Sequence, residues 1–460
     1  MVISMSKSDL TPSVFPEHLL SQLKKLPADC DKFWLACSGG LDSSVLLHLF
    51  YSIKNDIKNS VEVVYVDHAL NESSQSWGEF CLEQCHTYGF PLRTMKIEGS
   101  CPKGTSIEAW AREKRYELIA EKMQQKDVLF TAHHQNDQIE TFFLQVFRGA
   151  GPRGLACMPF IKHFISGFHV RPLLDIKRTE LEDYANKQSL KWCDDKSNED
   201  VAFDRNYLRH KVIPDISTRW PAYGNSICRL VEHQKEYKLL LDEIAEQDLE
   251  RALHNNMNTL RLNVVQALSK ERQKNLVFFW LDKLQLASPS YKHIDEILNE
   301  LINKDTNKSP CVNWQDVEVR RFKNLLYASK TLKENDIKQE FVWDLREPIQ
   351  IFDETLMASS TIGTGISKAV LKNAELRIRY RQGGERIEPE NASHSKSVKK
   401  LFQERNVLPW FRNSVPLIYI NDELAMIPGL CIDKKYRAAK DESSWQITWT
   451  GFDKVVQSSD

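Results

Sequence analysis

A short glycine- and serine-rich segment, residues 38–44, has the composition of a phosphate-binding loop. Its adjacent glycines let main-chain N–H groups approach an anion, its serines add hydroxyl donors, and the helical pattern that follows would supply a positive helix N-terminus. Its carboxylate, Asp42, is a candidate ligand for Mg²⁺, because this ion prefers oxygen ligands. An ordinary turn with serine caps is the alternative, and the spacing of a Walker A loop is absent. The residues predicted to bind phosphates are Ser38, Gly39, Gly40, Leu41, Asp42 and Ser43.

Two carboxylates three residues apart, Asp137 and Glu140, lie in the polar segment 133–141. If a helix begins near residue 136 or 137, they share one face of it. Paired carboxylates can bind an ammonium group and then accept its proton, as general base catalysis requires. Both residue types are also common in the first turn of a helix, so an N-terminal cap is the alternative. The adjacent His133 and His134 are candidates for polar contacts to a nucleotide.

Two arginines, Arg112 and Arg115, lie three residues apart in a stretch with helical periodicity, residues 107–123. Guanidinium groups match phosphate oxygens and can stabilise negative charge that develops in a transition state. Solvated ion pairs on the surface of a helix are the alternative for this pair.

A glycine-rich loop begins at Arg148, and arginines recur after it. Arg171 opens the sequence RPLL, and Arg205 and Arg209 flank the sequence NYL. We interpret these segments as parts of a lid over a large anionic substrate. A surface loop with structural turns is the alternative.

Elements that would position these residues alternate between strand and helix patterns over residues 33–150. Four apolar runs predict strands, and charged amphipathic stretches lie between them. This alternation is typical of βαβ units and a parallel sheet, which binds ligands at the carboxyl ends of its strands. The predicted strands are 33–37, 61–66, 92–97 and 127–131.

The remainder of the chain divides by pattern into a helical region and a smaller region with short strands. Helical periodicity extends over about 228–301, and residues 331–348 have the mixed, charged composition of a linker. The predicted domains are an α/β nucleotide-binding domain, a helical domain and a C-terminal α+β domain. Their predicted ranges are 1–220, 221–335 and 350–460.

The last region carries a local excess of positive charge. Residues 377–412 contain nine Lys and Arg against four Glu, a net charge of +5, whereas the whole chain has a net charge of −1. A concentrated basic patch attracts a nucleic-acid backbone while the rest of the protein stays neutral. Aromatic residues in this region, Tyr380, Trp410 and Phe411, either stack on unpaired bases or pack in the core.

Composition excludes several classes of protein. The chain has 460 residues, 42% of them hydrophobic, and no apolar run approaches the roughly 18 residues of a membrane span. The first residues lack the apolar segment of a secretory signal. Ten cysteines are scattered without the spacing of a small disulfide-rich domain, which favours reduced thiols in a cytoplasmic protein. No C-x-x-C pair occurs, which disfavours a structural zinc site. We expect no membrane partner.

The order of the motifs is more specific than any one of them. The phosphate loop, HHxxDQxET, RGxGxxGL, RPLL and RNxxR follow one another over residues 38–209, and RQGGER, KKLF and VLPW follow in the last region. This series resembles the tRNA(Ile)-lysidine synthetases, in their long bacterial form, of the PP-loop ATP pyrophosphatase superfamily. One small departure is Ile139, where the motif is expected to have a smaller residue.

The resemblance implies an ATP- and Mg²⁺-dependent modification of an isoleucine tRNA whose anticodon is CAU. ATP would adenylate O2 of the wobble cytidine, and the ε-amine of free L-lysine would attack C2 and expel AMP. Our hypothesis is that Asp42 binds Mg²⁺ and diphosphate, Arg112 stabilises the α-phosphate and His133 contacts the adenylated base. Asp137 and Glu140 are the candidates for binding and deprotonating lysine. The candidate tRNA contacts are Arg148, Arg205, Arg209, Arg381, Arg386, Lys399, Lys400 and Arg405. For the oligomeric state, both a homodimer and a monomer are compatible with the resemblance.

Three other functions compete with this interpretation. A thiolase of the same superfamily that acts on tRNA would be expected to bring cysteine pairs or a metal centre. An amidotransferase would need a glutaminase part, often begun by an N-terminal cysteine, whereas Val2 follows Met1 here. A non-catalytic, nucleotide-gated RNA-binding protein is the third, and the intact Asp42 and carboxylate pair argue against it.

Overall fold

The chain forms two units, residues 1–240 and residues 241–460, in a computed structural model. Within the described parts, no helix has both the length and the apolar character needed to cross a membrane. The described residues are 14–67, 74–102, 107–164, 167–195, 199–304, 310–331, 339–351, 354–372, 374–390, 392 and 394–452.

A six-stranded sheet forms the centre of the first unit, with the strand order β3-β2-β1-β4-β6-β5. The first four strands are parallel to their neighbours, which confirms the predicted parallel sheet. The sequence patterns missed a further hairpin, whose strand β6 is parallel to β4 and whose edge strand β5 is antiparallel. The strands are β1 (Phe33–Ala36), β2 (Val61–Asp67), β3 (Leu92–Lys96), β4 (Val128–Phe130), β5 (Ile161–Phe164) and β6 (Gly167–Val170).

Helices cover both faces of this sheet. Successive side chains of a strand point to opposite faces, and in β1 Phe33 and Leu35 pack into one apolar core while Trp34 packs into another. Burial of each such side chain contributes about 1.5–3 kcal/mol. The helices are α1 (Phe15–Leu23), α2 (Leu41–Ser52), α3 (Ser74–Tyr88), α4 (Ile107–Ala120), α5 (Gln135–Phe147), α6 (Pro152–Leu155), α7 (Arg178–Lys187), α8 (Asp204–Tyr207), a π-helix (Leu208–Val212), α9 (Ile213–Arg219) and α10 (Tyr223–Ala252), which ends in the second unit.

The second unit begins with a helical region that also contains a sheet. Helical periodicity correctly predicts the helices up to residue 302, but the four-stranded antiparallel sheet β7-β10-β9-β8 was not predicted. Its strands are short, and Val317 and Val319 complete the same core as Trp280. The elements are β7 (Thr259–Arg261), α11 (Leu262–Gln266), α12 (Lys270–Lys283), α13 (Tyr291–Glu296), a π-helix (Ile297–Ile302), β8 (Cys311–Trp314), β9 (Val317–Phe322) and β10 (Leu325–Lys330).

The last part of the second unit has the predicted α+β character, with five-stranded, four-stranded and two-stranded sheets. The alternating apolar runs 376–380, 417–420 and 445–450 predict three strands, which correspond to β15, β18 and β21. The elements are β11 (Phe341–Val342), β12 (Ile349–Ile351), β13 (Glu354–Ile362), β14 (Ile366–Ser367), α14 (Lys368–Leu371), β15 (Leu376–Arg379), β16 (Arg386–Ile387), β17 (Lys396–Ser397), α15 (Val398–Glu404), a 3-10 helix (Pro409–Phe411), β18 (Leu417–Ile420), β19 (Glu423–Ile427), β20 (Cys431–Ile432) and β21 (Ser443–Trp449).

Two adjacent parallel strands bring the predicted motifs of the first unit together. The phosphate loop follows β1, and the HHxxDQxET segment follows β4, which pairs directly with β1. Because both segments leave the same edge of the sheet, their side chains meet although about 95 residues separate them.

Candidate active site

The loop between β1 and α2 is shaped by its own hydrogen bonds. Gly39 has φ of +80°, a backbone conformation that suits glycine. The Ser43 hydroxyl donates to the Gly40 carbonyl (2.9 Å) and accepts from the main-chain N–H of Ser38 (3.2 Å). No side-chain cap bonds the first turn of α2, so N–H groups at this helix start are available to an anion.

A cavity of about 540 Å³ opens beside this loop. Its walls come from the loop itself, from α4, from the segment after β4 and from residues 193–209. All the predicted catalytic residues except Glu140 contribute to the described lining. The charged and histidine side chains among the lining residues are Asp42, Arg112, Arg115, His133, Asp137, Arg178, Asp194, Asp195, Arg205 and Arg209.

Asp42 has one engaged and one free carboxylate oxygen. Oδ2 lies 3.4 Å from Nη1 of Arg178 and 3.6 Å from Nε2 of His134. Oδ1 is buried and has no hydrogen-bond partner among the described atoms. An orphaned oxygen of this kind fits a cation ligand, because a buried acceptor without a partner costs free energy. The described residues contain no cluster of three His, Cys, Asp or Glu that would hold a metal alone, so Mg²⁺ would need Asp42 together with substrate phosphates.

Asp137 caps the start of α5 and also lines the cavity. Its Oδ2 accepts from the main-chain N–H of His134 (3.0 Å) at the start of α5, which is the capping role weighed as the alternative. Its Oδ1 lies 3.6 Å from Nη2 of Arg209. Burial opposes ionisation, but the neighbouring His134 lowers the pKa of Asp137 below its ordinary value. Asp137 is therefore an anion at neutral pH on the wall of the cavity.

Glu140 lies on the same helix but is withdrawn from the cavity. Only 1% of it is exposed. Arg209 donates to both of its oxygens, from Nε to Oε1 (2.7 Å) and from Nη2 to Oε2 (3.0 Å), and Nε of Arg205 lies 3.3 Å from Oε2. Burial raises the pKa of Glu140, and the arginines oppose the rise. Arg205 and Arg209, two of the residues predicted to contact tRNA, thus hold this carboxylate while they line the cavity.

The two adjacent histidines have different surroundings. His133 lines the cavity, and its Nδ1 lies 2.7 Å from Oγ1 of Thr131. Burial lowers the pKa of His133 to about 3, so its imidazole is neutral. His134 is buried, and although burial disfavours its charge, Asp137 and Asp42 raise its pKa. The structure therefore places His133, and not His134, on the described wall of the cavity.

Comparison with known proteins identifies the family. A PP-loop domain model matches residues 15–216, a TilS substrate binding domain model matches residues 260–327, and a TilS substrate C-terminal domain model matches residues 376–449. The tRNA(Ile)-lysidine synthase of Coxiella burnetii is 34% identical over 434 residues, which cover 94% of this chain and 96% of the relative. The chain belongs to the tRNA(Ile)-lysidine synthase family. The resemblance predicted from the order of the motifs is confirmed.

Two further members of the tRNA(Ile)-lysidine synthase family match over almost their whole length. The synthase of Legionella pneumophila strain Paris is 34% identical, and the match covers 95% of this chain and 98% of the relative. The synthase of Nitrosomonas europaea is 33% identical, with 97% and 96% covered. Similarity therefore extends through the second unit and is not confined to the PP-loop domain.

Arginines around the PP-loop cavity differ in how they are held. Arg112 has no described carboxylate within 4 Å, and its guanidinium lies 5.4 Å from the ring centroid of Tyr116. Arg178, which sequence reasoning missed, reaches Asp42 from the first turn of α7, and its main-chain N–H donates to Oδ1 of Asn136 (3.1 Å). No local signal marks Arg178, because only the tertiary structure brings α7 to the loop. Arg148 is exposed at the end of α5 and is not among the described lining residues.

Basic residues in the TilS C-terminal domain fall into paired and unpaired groups. Lys399, Lys400 and Arg405 are exposed, and no carboxylate in the described part of the chain lies within 4 Å of their side-chain nitrogens. Arg386 is exposed and donates to the carbonyl of Ser395 (2.6 Å). Arg381 makes two contacts: its Nη1 lies 3.4 Å from Oδ1 of Asn413, and its Nε lies 3.8 Å from Oε2 of Glu385.

The aromatic residues of this domain pack inside the unit. Trp410 lies edge-on to Tyr327 and Phe322, with ring centroids 5.2 and 5.6 Å apart. Tyr380 is buried in the core of the antiparallel sheets. These contacts favour the packing interpretation over stacking on bases.

Proposed function

We propose that this protein joins L-lysine to C2 of the wobble cytidine of an isoleucine tRNA with the anticodon CAU, and uses ATP to do so. The observation that carries the proposal is the single cavity in which the phosphate loop, Asp42, Arg112, His133 and Asp137 meet. The cavity offers main-chain donors for phosphates on one side and an anionic carboxylate for an amine on the other. This combination suits the adenylation of one substrate and the binding of a second, cationic one.

The first half of the reaction uses the loop and Arg112. The start of α2 binds the phosphates, and O2 of cytosine attacks the α-phosphorus so that diphosphate leaves. Asp42 would hold Mg²⁺, which supplies positive charge to the leaving diphosphate when bound. Arg112, which has no described carboxylate partner, stabilises the negative charge that develops on the α-phosphate.

The second half requires a deprotonated amine. The ε-amine of free lysine has a pKa near 10.4 and is mostly protonated at neutral pH. Asp137 binds this ammonium group and is the anionic acceptor for its proton. The amine then attacks C2, the C2–O2 bond breaks, and AMP leaves. Between the two predicted carboxylates, the exposure of Asp137 to the cavity and the double contact of Glu140 with Arg209 support Asp137 as the direct lysine ligand.

The basic C-terminal domain is assigned to tRNA recognition. Elongator methionine tRNA has the same CAU anticodon, so discrimination must use another part of the molecule, and we assign the acceptor stem to this domain. The exposed Arg386, Lys399, Lys400 and Arg405 support this assignment through their charge. The proposal includes a cytoplasmic location, where tRNA and ATP are found. A homodimer stays a prediction, which light scattering of the purified protein would test.

The decisive experiment is mass analysis of nucleosides from a CAU-anticodon isoleucine tRNA transcript. The transcript is incubated with the protein, ATP, Mg²⁺ and L-lysine, beside an Asp42→Asn control. A lysine adduct on one cytidine, absent from the control, is the expected result. An adenylate without the adduct would mean that lysine is the wrong amine. Tight tRNA binding without any change to the nucleosides would favour the non-catalytic binding protein.

A further inference from the structure

A chain of hydrogen bonds runs behind the cavity wall and ends at His133. Nη2 of Arg171 lies 3.2 Å from Nδ1 of His169, Nε2 of His169 lies 2.8 Å from Oγ1 of Thr131, and Oγ1 of Thr131 lies 2.7 Å from Nδ1 of His133. Only Thr131 and His133 of these four line the cavity. The RPLL motif therefore contributes an internal arginine and not a part of a substrate lid.

The direction of these hydrogen bonds follows from the chemistry of their first member. A guanidinium group can only donate, so Nδ1 of His169 must accept and its Nε2 must carry the hydrogen. This Nε2–H donates to Oγ1 of Thr131. The Thr131 hydroxyl has no other acceptor among the described residues, so its own hydrogen goes to Nδ1 of His133. A neutral His133 then carries its hydrogen on Nε2.

Burial and packing hold this chain in place. Arg171 is 3% exposed, His169 1% and Thr131 8%. Nη1 of Arg171 also donates to the carbonyl of Pro159 (3.0 Å). The rings of Tyr116 and Phe164 lie against His169, with centroids 5.4 and 5.9 Å from its own. If the donors and acceptors of these hydrogen bonds were exchanged, buried donors would face each other. Each unsatisfied group would then cost about 1–3 kcal/mol.

The electrostatic surroundings keep both histidines neutral. Burial and then Arg171 lower the pKa of His169 far below its ordinary value. The charged groups that act on His133 are Asp137, Arg171, Arg112 and Arg205, and burial outweighs Asp137. Neither ring is therefore an imidazolium at neutral pH, and the orientation deduced from the donors applies.

We propose that Thr131, His169 and Arg171 are positioning residues that fix His133 as the Nε2–H tautomer, so that His133 offers the substrate a hydrogen-bond donor and never a base. The consequence for catalysis rests on the proposed function. The donor would bind an oxygen of the adenylated cytosine and stabilise charge there as AMP leaves. His133 cannot then take the proton of lysine, which leaves that task to Asp137.

The tautomer can be measured without any catalytic assay. Long-range ¹H–¹⁵N NMR of the full-length protein labelled with ¹⁵N-histidine separates the two nitrogens of each ring, and a His133→Gln sample assigns the signal. A single Nε2–H tautomer at pH 7 is expected in the unmodified protein. An Nδ1–H tautomer or an imidazolium would overturn the proposal.

Two substitutions at Thr131 then test the consequence. Thr131→Val keeps the shape of the side chain but removes the hydroxyl group that donates to His133. Thr131→Ser keeps this hydroxyl group. In the valine variant we expect a mixture of His133 tautomers and a kcat for lysidine formation about tenfold lower, the scale of one lost hydrogen bond, with unchanged KM for ATP and lysine. The serine variant should recover both the tautomer and kcat. An unchanged kcat in a valine variant with mixed tautomers would refute the catalytic role.

The two proposals fail in different ways. An Nε2–H tautomer in a protein that forms no lysidine would support the positioning residues and refute the proposed function. Lysidine formation by a protein whose His133 is not the Nε2–H tautomer would support the function and refute the positioning residues.

Discussion

The PP-loop cavity and the basic surface of the C-terminal domain use the same residue types in different ways. Inside the cavity, Arg178 and Arg209 are bound to carboxylates that are themselves partly or fully buried. On the C-terminal surface, Lys399 and Lys400 have no described carboxylate within 4 Å. These cavity arginines are therefore neutralised by carboxylates of the site, whereas the charge of the surface lysines is available to a ligand.

This difference predicts how each region responds to mutation. Removing one partner of a buried ion pair leaves an uncompensated charge and is strongly destabilising, whereas exposed pairs contribute little. Exposed, unpaired cations contribute little to the fold but attract a phosphate backbone in a way that depends on salt. Substitutions in the cavity should change stability and catalysis, and those on the surface should change tRNA affinity alone.

The largest effect is expected from Asp42→Asn. The substitution removes the charge of the buried oxygen that has no partner, and we expect diphosphate formation to fall about 10²–10³-fold, the scale for one group that stabilises transition-state charge. A matched control is Asp194→Asn, because Asp194 also lines the cavity but accepts from Nε1 of Trp192 (3.1 Å). Equal losses in the two variants would mean that general negative charge, and not Asp42, is required.

Arg209→Met should be the most destabilising single change in the cavity. It leaves Glu140 buried with only Arg205 beside it, and we expect a loss of about 2–3 kcal/mol in the free energy of unfolding at pH 7. Because burial raises the pKa of Glu140 in the folded state, the folded protein binds more protons than the unfolded chain. The contribution of Glu140 to the stability of the variant should therefore be largest below the ordinary glutamate pKa, near 4.3, and should be lost as the pH rises through the raised value.

Denaturant titrations between pH 4 and pH 8 measure this effect. The double variant Arg209→Met with Glu140→Gln is the control, since it has no carboxylate to titrate at this position. A single variant that loses stability equally at all pH values would show that packing, and not the buried charge, is responsible.

Asp137→Asn should affect lysine more than ATP. The substitution keeps the size of the side chain but removes the anionic partner of the ammonium group, and we expect kcat/KM for lysine to fall about 30-fold, which is about 2 kcal/mol. Adenylation, followed as diphosphate release, should stay measurable. Glu140→Gln is the comparison: if it weakens lysine use more than Asp137→Asn does, the withdrawn carboxylate is the lysine ligand after all.

The smallest effect is expected on the C-terminal surface. Lys399→Ala with Lys400→Ala should weaken tRNA binding about tenfold at physiological salt. The loss of two phosphate contacts should also reduce the slope of log K against log[salt] by about 1.4–1.8. The control is Lys434→Ala with Lys435→Ala, an adjacent lysine pair whose members bind Glu388 and Glu423. Similar losses in the two double variants, measured by filter binding across salt concentrations, would contradict the distinction between paired and unpaired cations.

Point variants are a better test of this domain than its deletion. Leu408 packs with Leu325 and Tyr327 in one apolar cluster, so a chain that ends before residue 350 would expose the sheet to which those two residues belong. Any loss of tRNA discrimination would then be mixed with a loss of stability.

Local sequence determined the features that depend on neighbouring residues alone. The glycines and serines of residues 38–43 specify a phosphate loop, the apolar runs specify β1 to β4, and the order of the motifs specifies the family. Asp42 could be selected because it stands inside the loop. Such features follow from backbone conformation and from strand and helix periodicity, which are local properties.

Tertiary structure decided which partner each charged residue meets. Asp137 and Glu140 lie three residues apart on the same face of one helix. Arg209, 69 residues beyond Glu140 in sequence, binds Glu140, whereas Asp137 stays on the cavity wall. Arg171 stands in a recognisable motif, yet it is buried against His169. Helical spacing sets the face on which a side chain lies, but its burial and its ion pairs depend on elements distant in sequence. For this reason the sequence could predict which residue types form the site. It could not predict which of the two carboxylates faces the cavity and which one pairs with an arginine.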